Sequence, residues 1–192
     1  MPHQVPWLVE QALHPAEVGV AKGCTFAAHC DWPLGMFDYI LDLADSYEWE
    51  EDIGTSVGPT GAVSRRIVWR EAVGVVACIT PWNAPTQVNL AKVVPAMAAG
   101  CTVVLKAAPE TPIEAALLGQ CAVEAGLPKG VFNVITSSTP ADIGEALVKD
   151  PRVDSISFTG STSVGKRIMA NASEKLARVF LELGGKSASI IL

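Results

Sequence analysis

The stretch Asp154-Ser155-Ile156-Ser157-Phe158-Thr159-Gly160-Ser161-Thr162-Ser163-Val164-Gly165-Lys166 passes from a β-forming run through a glycine turn into a segment of helical character. A strand is expected over Asp154–Phe158 and a helix over Lys166–Ala172, which makes the turn between them a place for a phosphate. Amides at a helix N-terminus point outward and the helix dipole favours an anion. The spacing also imitates a Walker A loop, Gly-x-x-x-x-Gly-Lys, but Arg167 stands where that motif needs a Ser or Thr to ligate magnesium. The six-residue Rossmann glycine fingerprint is absent as well. A glycine turn without any ligand remains an alternative at this point.

Working outward, the same alternation recurs from Ala72 onward. Short β-branched runs at Gly74–Thr80, Thr102–Lys106, Val131–Ile135 and Arg178–Leu183 are separated by longer helical segments, the pattern of β-α-β units and a parallel sheet. Thr111-Pro112-Ile113-Glu114 reads as a helix start with threonine as cap, and Gly126 before Leu127-Pro128 as its stop. Pro140-Ala141-Asp142 opens another helix ending near Asp150-Pro151. The predicted fold class is therefore α/β with a doubly wound, mostly parallel sheet.

Before Ala72 the text changes. Trp7 to Asp31 has no clean period, Phe37 to Tyr47 has apolar residues at helical spacing, and Asp52 to Ala62 reads as glycine-rich loop. Ser64 to Glu71 alternates, with Ile67 and Trp69 on one face and Arg66, Val68 and Arg70 on the other, which predicts a half-exposed strand at an edge.

With 49% apolar residues among 192, the chain has enough material for a packed core. A net charge of −6 with scattered basic residues argues against nucleic acid or an anionic membrane surface as partner. Val93 to Leu105, the longest uncharged apolar stretch, is too short to span a bilayer and is broken by Pro95 and Gly100; it reads as a buried helix end running into a buried strand. No secretory signal is visible before Cys24, so a reducing, cytoplasmic setting is expected. The five cysteines form no Cys-x-x-Cys pair, and no metal site is expected. Cys78, Cys101 and Cys121 read as small buried hydrophobes, whereas Cys24 and Cys30, near His29, are the candidates for exposed thiols.

Four motifs then occur in a telling order: Ile79-Thr80-Pro81-Trp82-Asn83-Ala84-Pro85, Ala98-Ala99-Gly100-Cys101-Thr102-Val103-Val104-Leu105-Lys106, Ile156-Ser157-Phe158-Thr159-Gly160-Ser161-Thr162, and Leu181-Glu182-Leu183-Gly184-Gly185-Lys186. Together they resemble the NAD(P)-dependent aldehyde dehydrogenase superfamily, from about Arg66 to Leu192 and more loosely back to Phe37. The resemblance implies an enzyme that oxidises an aldehyde to a carboxylic acid with NAD or NADP as cofactor, and in the family as a whole a homo-oligomer. It divides the chain into a partly helical N-terminal segment (1–52), a bridging segment for oligomerisation (53–73), a dinucleotide-binding domain (74–185) and the start of a catalytic domain (186–192).

Residue by residue, Asn83 resembles the side-chain donor that holds the oxyanion formed when a thiolate attacks the aldehyde, and Glu182 the general base that activates water afterwards. Read from the residues alone, Asn83 is a turn residue between prolines and Glu182 ends a strand before two glycines able to adopt positive φ beside a ligand. Lys106 resembles the residue that reaches the adenosine ribose; its plain reading is a solvated strand-end charge. Ile79, Thr80, Pro81, Trp82, Phe158, Gly160, Ser161, Val164, Leu183 and Gly184 resemble backbone and wall contacts to the dinucleotide, with Ser161 against the pyrophosphate, and Gly144 matches a packing glycine near the adenine.

The departures from the family pattern are specific. Pro109 stands where NAD-preferring members often carry glutamate, with Glu110 one place late, so NAD versus NADP stays open; Pro140 stands where many members have glycine. The family nucleophile, a cysteine downstream of the Glu182 motif, is not reached before Leu192, and none of the five cysteines has a matching context. The expectation is a truncated family member that is inactive by itself. The alternatives are a non-catalytic dinucleotide-binding or assembly fragment and, further off, a P-loop nucleotidase.

Overall fold

Five short β-branched runs find one another across the sequence and pair in parallel: β3 (Val75–Ile79), β4 (Thr102–Lys106), β5 (Phe132–Ile135), β6 (Ser155–Gly160) and β7 (Arg178–Leu183), in the spatial order β5-β4-β3-β6-β7. The structure, a computed structural model, describes residues 13–25, 29 and 31–190. The expectations for residues 1–12 and for Cys30 lie outside the described residues, as do the last two positions of the 186–192 segment.

β3 occupies the middle of the sheet, and its Ala77 and Cys78 are completely buried because helices cover both faces. On one face, Val76, Cys78, Val103 and Leu105 pack with Val93 of α2 (Pro85–Ala98) and Ala115 of α3 (Pro112–Glu124). On the other, Ala77, Ile79, Ile156 and Phe158 pack with Val148 of α4 (Pro140–Lys149) and Ile168 and Ala172 of α5 (Thr162–Ser173). The alternation of side chains along each strand thus sorts the core into two separate layers. The order of the strands reverses direction between β3 and β6, which is the topological switch point of a doubly wound sheet.

Proline at the first turn starts α2, α3 and α4, where a missing N–H costs nothing. α3 ends as the sequence predicts: Gly126 takes φ +79 and Leu127 N–H donates to Ala122 O at 3.0 Å. Its start differs. Thr111 makes no side-chain cap; Ile113 and Glu114 N–H donate instead to the carboxylate of Glu17, at 2.6 and 3.1 Å. A carboxylate on the positive end of the helix dipole replaces the weaker local hydroxyl. α2 continues through Pro95 to Ala98, so this proline does not break the apolar stretch. α5 begins four residues before the expected Lys166, because Ser161 Oγ accepts from Val164 N–H at 3.3 Å and nucleates the first turn.

The segment expected as glycine-rich loop is largely a strand. β1 (Glu50–Val57) pairs antiparallel with β2 (Val63–Trp69), a register shift between Asp52 and Gly54 leaving Ile53 as the extra residue of a bulge while Gly54 pairs with Arg66. Partner hydrogen bonds, invisible to local composition, decide this. β2 is also exposed along its whole length, not on one face alone, because the hairpin forms a two-stranded sheet separate from the parallel one. The helix expected at Phe37–Tyr47 is α1 (Asp31–Ser46), extended toward its N-terminus. Among the described residues no helix is long and apolar enough to cross a membrane.

Candidate functional site

Beyond the C-terminal ends of β3 and β6, at the switch point, lies a crevice of about 360 Å³ between the β3 loop, α4 and α5. Ile79, Thr80, Pro81 and Trp82 form one wall, Phe158 and Gly160 the floor at the end of β6, and Val164 and Gly144 the flanks on α5 and α4. Lys106, at the end of β4, closes one side. The structure therefore brings together nine residues that are scattered over eighty-six positions of sequence, from 79 to 164.

Packing explains the two glycines that matter here. A Cβ on Gly160 would stand 2.4 Å from Phe158 Cζ, so only glycine lets the ring lie against the turn. A Cβ on Gly144 meets nothing within 4 Å, so that backbone faces open space inside the crevice, beside Pro140 and Ala141. The result is a groove beside α4 and α5 whose lining is largely apolar, with Lys106, Glu145, Arg167 and Asn171 among its polar members.

Lys106 is buried, not a solvated strand-end charge; its ammonium donates to Ala107 O at 3.1 Å. Burial lowers its pKa, with the charge of Glu110 working against that. The other charges on the crevice, Arg167 and Glu145, are paired, and Glu145 also holds Lys149 at 3.3 Å and accepts from Asn171 Nδ2 at 3.2 Å. Lys106 is thus the buried cation among the residues that line the crevice.

Three of the predicted cofactor contacts lie outside the crevice. Ser161 caps α5, and Gly184 O accepts from Thr162 Oγ1 at 3.5 Å. Leu183 covers Gly165, whose Cβ, were there one, would meet Leu183 Cδ2 at 2.7 Å. Ser161–Gly165 is thus the cap and first turn of a helix packed on a strand, with Lys166 exposed on the next turn, not a loop wrapped around a triphosphate. Gly184 and Gly185 do not adopt positive φ.

The two predicted catalytic side chains are placed differently again. Asn83 is exposed in the loop between Trp82 and α2. Glu182 lies on the opposite face of the sheet, because along β7 Val179 and Leu181 point to the α5 layer and Phe180 and Glu182 away from it. There a second cavity, about 700 Å³, is lined by Glu182, Ser157 and Lys92 among others. Thr159 lines both cavities, so they meet beside the end of β6.

Lys92 is a residue that the motif reading passes over. Its ammonium is buried and donates to Ser157 Oγ at 3.0 Å; burial lowers its pKa, opposed by the neighbouring Cys78 and Glu182. The signal was legible, since Lys92 is the one charged residue in the fourteen of α2. Burial pushes the Cys78 thiol up to about 12, which removes it as a nucleophile, in keeping with its reading as a buried hydrophobe. Cys101 is likewise buried, Cys121 partly so, and Cys24 exposed.

Strand order, switch-point crevice and glycine turn define a Rossmann-like α/β domain. The chain belongs to the aldehyde dehydrogenase family, whose model matches residues 19–192. The match reaches further toward the N-terminus than the motifs alone, which carry the resemblance only back to Phe37. Succinate-semialdehyde dehydrogenase of Paenarthrobacter nicotinovorans is 44% identical over 146 residues, 76% of this chain and 32% of that protein. The NADP(+) succinate-semialdehyde dehydrogenase GabD of Escherichia coli is 44% identical over 165 residues, 83% of this chain and 34% of its own. Among solved structures, an aldehyde dehydrogenase of Mycobacterium tuberculosis complexed with NAD+ superimposes with a TM-score of 0.83 at 39% identity, covering 93% of this chain and 35% of that one. The chain thus spans about a third of the length of the relatives it matches.

Proposed function

We propose that this chain forms the coenzyme-binding part of an NAD(P)+-dependent oxidoreductase that converts an aldehyde to a carboxylic acid. The observation that carries the reading is the switch-point crevice, whose lining combines open space beside Gly144 with the buried Lys106. The bound dinucleotide supplies the hydride acceptor. Lys106 donates to a ribose hydroxyl, and the N-terminus of α5 favours the pyrophosphate. Asn83 donates from its amide to the oxyanion on the aldehyde carbon. Glu182, which lines the second cavity together with Lys92, takes a proton from the water that attacks the acyl group. Cys78 and Cys101 are buried in the strand and loop of the core and are not assigned as the nucleophile, so the reading gives this chain coenzyme binding.

In this reading residues 74–185 are the coenzyme unit, and the exposed hairpin, with Val57, Val63 and Trp69 largely open to solvent, belongs to an assembly surface of a homo-oligomer. The absence of a carboxylate at position 109 leaves room for either coenzyme. Titration calorimetry with NAD+ and NADP+ tests the reading, with Lys106→Ala and Gly144→Leu as variants. Saturable binding weakened at least tenfold in both is expected. A folded wild-type chain that binds neither coenzyme overturns it.

A further inference from the structure

A buried polar cluster joins a segment outside the family match to both loops that border the crevice. His14 Nδ1 lies 2.5 Å from Glu114 Oε1, and Thr86 Oγ1 donates to Glu114 Oε2 at 2.5 Å. All three residues are nearly or completely buried. Glu114 is in the first turn of α3, directly after the Ala107–Thr111 loop; Thr86 is in the first turn of α2, directly after the Thr80–Ala84 loop that carries Trp82 and Asn83. Glu17 adds two hydrogen bonds to the same end of α3, and the His29 ring packs 4.9 Å from that of His14. His14 and Glu17 precede residue 19, where the family match begins.

A carboxylate this deeply buried persists only with partners on both oxygens, and here the partners come from two different elements. Each bond constrains the loop behind it, because the first turn of a helix moves as a unit with the residue that enters it. We propose that His14, Glu114 and Thr86 form a clamp through which residues 13–18 position both crevice loops and thereby set coenzyme affinity. They are positioning residues; none of them lines the crevice. The effect on affinity rests on the coenzyme reading above, whereas the clamp itself does not.

Hydrogen–deuterium exchange of the full chain tests the clamp, with His14→Ala and the near-isosteric Thr86→Val and Glu114→Gln as variants and Thr86→Ser as the rescue. The expected result is exchange at least tenfold faster in residues 80–88 and 107–114 for the first three variants. Protection in β5 and β7 should be kept, and behaviour near wild type should return in Thr86→Ser. Affinity for whichever of NAD+ and NADP+ binds should fall at least tenfold in step. Unchanged exchange in either loop, faster exchange confined to 13–17, or a uniform rise through the whole sheet overturns the clamp. Loops that respond as stated in a chain that binds neither coenzyme keep the clamp and overturn the coenzyme reading.

Discussion

Asp154 occupies the space that a side chain on Gly74 would need. Its Oδ2 accepts from Val75 N–H at 2.8 Å and stands 2.1 Å from the position of a Cβ on Gly74, which takes φ +117. The residue just before β6 thereby holds the residue that opens β3, and the central pair of the sheet starts in register at the end opposite the crevice.

Gly74→Ala is expected to lose stability on two counts, the positive φ and the collision with Asp154. Backbone strain of this kind costs about 1–3 kcal/mol, and displacing Asp154 leaves Val75 N–H without its partner for about 1–3 kcal/mol more. Urea unfolding should show a midpoint shift without a change in slope. The double variant with Asp154→Ala should lose less than the sum of the two single changes, and strict additivity would count against the contact.

Gly160→Ala acts on the crevice itself. The new methyl cannot coexist with the Phe158 ring, 2.4 Å from it, so the ring must rotate into the groove or the strand end must shift. A stability loss of about 1–3 kcal/mol is expected, together with weaker coenzyme binding than in Phe158→Leu, which leaves the groove open. Equal affinities in the two variants, measured by calorimetry, would refute the steric account.

Glu114 should make stability depend on pH. Burial, aided by the charge of Glu17 and opposed by the hydrogen bond from Thr86, raises its pKa from 4.5 to about 7. The folded chain therefore keeps this proton after the unfolded chain has shed it. Stability is fully present below about 4.5 and is lost as pH rises toward 7, by up to about 3 kcal/mol. Thermal melts at pH 5 and pH 8 should show a larger decline for wild type than for Glu114→Gln. A decline of the same size in both assigns it elsewhere.

Lys92 behaves in the opposite sense. Its pKa is lowered, so between that value and 10.5 the unfolded chain binds the proton more tightly and stability rises with pH through the window. Lys92→Met removes a buried charge while keeping its volume, and is expected to match or exceed wild-type stability at pH 7 by about 1 kcal/mol. A strongly destabilised Lys92→Met would show instead that the Ser157 hydrogen bond outweighs the desolvation.

The α/β class, the five strands and the prolines that open α3 and α4 were legible in the sequence, because each depends on local properties: β-branched runs, helical spacing, fixed φ at proline. The four motifs likewise carry the family, since their residue types and order are properties of the text. What local patterning does not carry is pairing. Gly54 reads as a loop residue until β2 supplies partners, and Thr111 reads as a cap until Glu17, ninety-four positions away, provides a charged one. Strand alternation put Lys106 and Glu182 on opposite faces only once the order β5-β4-β3-β6-β7 was known, and that order arises from long-range burial of the two core layers. The same holds for the buried His14–Glu114–Thr86 cluster, whose members mean nothing in isolation. The motifs carried the family; the geometry that brings their residues together came from contacts the linear order does not contain.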